Sequence, residues 1–77
     1  MSPNPASNQV NVNYKAQGSS SAYIMITNIT IGTSNNYILN PNELETSIDI
    51  SNYPKGIYGV ALVCDGIIVD AKNLIIQ

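Results

Sequence analysis

Asp65-Gly66 lies between two apolar runs, GIYGVALVC and IIVDAKNLII, and this placement narrows the fold more than any other feature of the chain. Asp-Gly between such runs suits a two-residue type I′ hairpin turn, which requires positive φ at both positions. Gly56–Cys64 then reads as the longest strand and Ile67–Ile76 as its return. A strict turn pairs Cys64 with Ile67, Leu62 with Val69, Val60 with Ala71 and Tyr58 with Asn73, on a nearly all-apolar face. The opposite face carries Val63, Ile68, Asp70, Lys72, Leu74 and Ile76, a mixed set. A bulge near Ala71 or Lys72 would swing Leu74 and Ile76 toward the core. The sequence leaves both registers open.

The rest of the chain reads as strands too. QVNVNY alternates strictly and puts Val10, Val12 and Tyr14 on one face. AYIMITNIT, residues 22–30, is rich in β-branched and aromatic residues, with Ile24 and Ile26 on one side and Tyr23, Met25 and Thr27 on the other. A short strand is expected over residues 37–39, after punctuation at 32–36, and TSIDI places Ile48 and Ile50 together. The helix-like patch PNELE is too short to propagate alone. With turn signals every 8–12 residues, about seven short strands imply an all-β fold, a small antiparallel immunoglobulin-like β-sandwich. Residues 1–8, with Pro3 and Pro5, read as linker and domain entry, and residues 9–77 as the one domain.

Composition narrows the function. Charged residues make up 10 % of the chain and the net charge is −2 with no Arg, so neither nucleic acid nor an anionic membrane surface is an expected partner. The longest apolar run is far too short for a spanning helix. No histidine is present, which removes histidine triads and histidine zinc sites. The acids Glu43, Glu45, Asp49, Asp65 and Asp70 fit no calcium-loop spacing, and no glycine loop suited to phosphate appears. No catalytic, cofactor or metal site is expected. Cys64, the sole cysteine, reads as a buried thiol in a strand, and the five tyrosines as core and edge packing. With no signal peptide after Met1, the chain is either cytoplasmic or a piece of a longer exported protein.

Several stretches taken together resemble one family. They are SPNPASNQVNV at the start, IMITNITIG in the first half, and SIDISNYPKGIYGV leading to AKNLIIQ. In order and spacing they look like the type A C-terminal sorting domains of type IX secretion cargo. The resemblance implies a non-catalytic tail that directs a larger exported protein through the periplasm to the cell surface or beyond. It also implies an outer-membrane translocon or shuttle as reader, a sortase-type cysteine protease that removes the tail, and a cargo domain upstream. Carried onto this chain, the recognition residues are Pro54, Gly56, Tyr58, Val60, Lys72, Leu74 and Ile76, and the cleavage region is Ser2, Pro3, Asn4 and Pro5. Three have a plainer reading, Gly56 as a turn residue and Tyr58 and Val60 as core, whereas Lys72 is the better recognition candidate, because a lone cation in an apolar strand needs a reason. A reader could also pair with the open edge of the terminal strand. The competing expectation is an accessory module, adhesive or carbohydrate-binding, on a secreted enzyme.

Overall fold

The computed structural model describes residues 8–77. Six strands follow one another, β1 (Gln9–Asn13), β2 (Ala22–Asn28), β3 (Ser34–Ile38), β4 (Glu45–Asp49), β5 (Gly56–Cys64) and β6 (Ile67–Ile76). All pairings are antiparallel: β1 pairs with β4, and a four-stranded sheet runs β3-β2-β5-β6. The two sheets form the expected all-β, sandwich-like arrangement, with six strands among the described residues against the expected seven.

The period-2 pattern sets which face is buried. Val10, Val12 and Tyr14 from the β1 side meet Ile24 and Ile26 of β2, Ile48 and Ile50 from the β4 side, and Tyr58, Val60 and Leu62 of β5 in one core. Cys64 is buried there as a free thiol. All of these positions match the sequence reading.

Ends of β1, β3 and β4 differ from the expected ones by one residue, and two boundaries differ by more. β2 stops at Asn28 rather than Thr30, because the Asn28 side chain leaves the ladder to cap the next turn: its Oδ1 accepts from Thr30 N at 3.0 Å and Ile31 N at 3.3 Å. Gly32, at φ +79°, then lets the chain reverse, so β3 begins at Ser34, inside the stretch read as punctuation. Asn35 and Asn36 have poor strand propensity, but pairing with Ile26 and Met25 of β2 overrides it.

Candidate functional site: the closing hairpin

The hairpin turns as the Asp-Gly pair dictates, with Asp65 at φ +51° and Gly66 at φ +82°. Cys64 pairs with Ile67 and Val63 with Ile68, and then Leu62 pairs with Asp70. Val69 is the extra residue of a bulge. The bulge therefore lies two to three residues nearer the turn than the expected Ala71 or Lys72, and its consequence is the expected one. Every position after it is turned over, and Leu74 (0 % exposed) and Ile76 (3 %) enter the core opposite Tyr58 and Gly56. The final strand is packed to within one residue of Gln77.

Asp65 has a second task that the sequence did not announce. Its Oδ1 accepts from Ser20 N at 2.9 Å and Ser21 N at 3.0 Å, and its own N–H donates to Ser21 O at 3.0 Å. The hairpin tip is thus fastened to the β1–β2 loop. Partners so far apart in sequence leave no local signal.

At the other end, the turn before β5 is built by side chains. Asp49 Oδ1 accepts from Ser51 N at 2.9 Å, and this backbone bond holds the Asp49 carboxyl below its ordinary pKa. The Tyr58 hydroxyl donates to Pro54 O at 2.6 Å, and its ring lies 5.5 Å from that of Tyr53 at a 59° tilt. Tyr53 shares a hydroxyl–hydroxyl contact with Tyr37 of β3. Burial first, and that contact second, push the Tyr53 hydroxyl up to about 12. Gly56, at φ +154°, occupies backbone space that side-chain-bearing residues rarely adopt, and it does so as the first residue of β5, paired with Ile76, rather than inside the turn.

The seven expected recognition residues divide into three groups by exposure. Tyr58, Val60, Leu74 and Ile76 are buried, Gly56 is half-buried, and Pro54 and Lys72 are exposed. The bulge puts Lys72 opposite Val60, on the inward side of β6 but beyond the cover of the smaller sheet. There it borders a cleft of about 690 Å³ between the sheets, together with Lys15, Glu45 and Asp70 around Val12, Tyr14 and Leu62. Ser2, Pro3, Asn4 and Pro5 lie outside the described residues. Among the described residues no cluster suited to a metal ion occurs, and no helix is long and apolar enough to cross a membrane.

The chain is thus a small all-β module of two antiparallel sheets, closed by a hairpin whose last strand buries Leu74 and Ile76. The family model described as "Secretion system C-terminal sorting domain" matches residues 1–77, the whole chain, and the chain belongs to that family. It carries a C-terminal sorting signal of the type IX secretion system, and with it the implication of a cargo precursor and of export to the cell surface or secretion. Comparison with curated proteins and with solved structures finds no match.

Proposed function

We propose that the signal is the folded β5–β6 hairpin, presented as a rigid surface to an outer-membrane translocon or its shuttle during periplasmic transit. The observation that carries this reading is the burial of Leu74 and Ile76, which fixes the end of the chain in one conformation. In this division of labour Tyr58, Val60, Leu74 and Ile76 hold the hairpin, Gly56 shapes its entry, and Pro54 and Lys72 are touched by the reader. β6 carries a bulge and the charges of Asp70 and Lys72, devices that blunt a sheet edge against pairing. That favours recognition through side chains over addition of a strand. Once the cargo is across, a sortase-type protease cuts in the linker at residues 2–5, and the domain at 9–77 is released.

The test is surface display of a passenger fused ahead of this tail in a type IX-competent host. Lys72→Glu, and separately removal of residues 75–77, are expected to leave cargo undisplayed. Normal display of both variants overturns the reading.

A further inference from the structure

The four-stranded sheet has an edge at β3, and it is built unlike the others. Asn28 N donates to Thr33 O at 2.8 Å, and Leu39 N donates to Ala22 O at 2.9 Å. Antiparallel neighbours exchange their bonds at every second residue. The odd-numbered residues along β3 therefore bond to β2, and Ser34, Asn36 and Ile38 turn their N–H and C=O groups outward, where no strand lies among the described residues.

Natural sheets guard such edges with charge, proline or a bulge. β6 has a bulge, Asp70 and Lys72, and β4 has Glu45 and Asp49. β3, SNNYI, has none of these, and no charged residue occurs anywhere from Ala16 to Asn42. β1 is also uncharged, but the residues it turns outward are Gln9, Asn11 and Asn13, with Lys15 close behind, so pairing there covers nothing apolar. On β3 the outward set ends in Ile38, which is 92 % exposed, the most exposed large apolar side chain among the described residues.

We propose that β3 is a self-pairing edge, at which a second copy of this chain adds antiparallel about a two-fold axis through Asn36. The open backbone groups fix that register. Asn36 faces its own counterpart, with the two amides in reach of each other, and Ser34 faces Ile38 of the other copy on both sides. The three outward residues of each copy supply about six interchain hydrogen bonds, two per bonded pair. No charge opposes a like charge, and Ile38 is brought under cover. A five-residue edge buries far less than the ~1,200 Å² of a stable interface. The association is accordingly weak and reversible, and appears at high local concentration.

The register gives a test with a built-in rescue. Asn36 is exposed and its side chain leaves the core untouched, so Asn36→Lys and Asn36→Asp should keep the wild-type circular dichroism. Sedimentation equilibrium of the 77-residue chain is expected to show a concentration-dependent dimer. Each variant alone sets like charges together at the two-fold axis and weakens that dimer at least about tenfold. An equimolar mixture of the two sets Lys against Asp and restores association. A wild type that stays monomeric to millimolar concentration overturns the proposal. So does a dimer that persists in Asn36→Lys, or a mixture that fails to associate.

Discussion

At the scale of single residues, the hairpin depends on a few groups whose roles can be separated. Asp65 is both turn former and clamp. Asp65→Ala should therefore cost about 1–3 kcal/mol, since Ser20 N and Ser21 N lose their acceptor and the turn loses a residue that tolerates positive φ. Urea midpoints at constant slope check this. Gly56→Ala meets only an ordinary contact with Tyr58, at 3.9 Å, so its cost of about 1 kcal/mol or more comes from the backbone. Tyr53 gives a pH signature. Its folded-state value lies above the unfolded one, so the folded chain holds this proton more tightly. The associated stability is complete below pH ~10 and drains as pH rises toward about 12. Tyr14, raised by burial and then by Glu43, adds to the same alkaline loss. Denaturant midpoints across that window should fall steeply in the wild type and less steeply in Tyr53→Phe, with Tyr14 supplying the remainder. An unchanged slope in the variant would remove Tyr53 from the account. Asp49 acts with the opposite sign: its lowered carboxyl stabilises the turn at neutral pH and ceases to do so in acid, as pH falls through its depressed value.

At the scale of elements, what could be read in advance was whatever local chemistry dictates. The Asp-Gly pair announces the hairpin, and alternation in QVNVNY and TSIDI selects Val10, Val12, Ile48 and Ile50 for the core. What stayed hidden depends on partners distant in the chain. β3 exists because β2 supplies a ladder for two asparagines, and no propensity argument favours that. The bulge site was also invisible, since Val69, Ala71 and Lys72 are equally able to absorb the extra residue. For the same reason Lys72 could be singled out, yet its place beside the cleft with Asp70 could not. Deleting Val69 tests the bulge directly. Without the extra residue Asp70 still faces Leu62 on a regular ladder, and Leu74 and Ile76 stay opposite Tyr58 and Gly56. The deletion should therefore keep a thermal midpoint close to that of the wild type and retain protection of the β6 amides. Full burial of each Leu or Ile is worth about 1.5–3 kcal/mol. A loss of several kcal/mol would mean that Leu74 and Ile76 had left the core and that Val69 is not the extra residue.

At the scale of the whole molecule, the question is whether export machinery needs the fold itself or only certain side chains, and the burial pattern lets the two be told apart. Leu74→Ala removes a side chain that is fully buried and should cost about 2–5 kcal/mol, a large share of what a domain this small possesses. Lys72→Glu touches an exposed group and should leave the midpoint of unfolding almost unchanged. If a rigid hairpin is the signal, both variants lose surface display, Leu74→Ala because the hairpin no longer holds and Lys72→Glu because its reader no longer fits. Their temperature dependence then differs: display of the Leu74→Ala variant should recover when cells are grown cold enough for it to fold, whereas Lys72→Glu fails at every temperature. Recovery of both on cooling would reduce the role of Lys72 to stability. Full display of Leu74→Ala at a temperature where the purified chain is unfolded would show that a linear motif, rather than a folded module, carries the address.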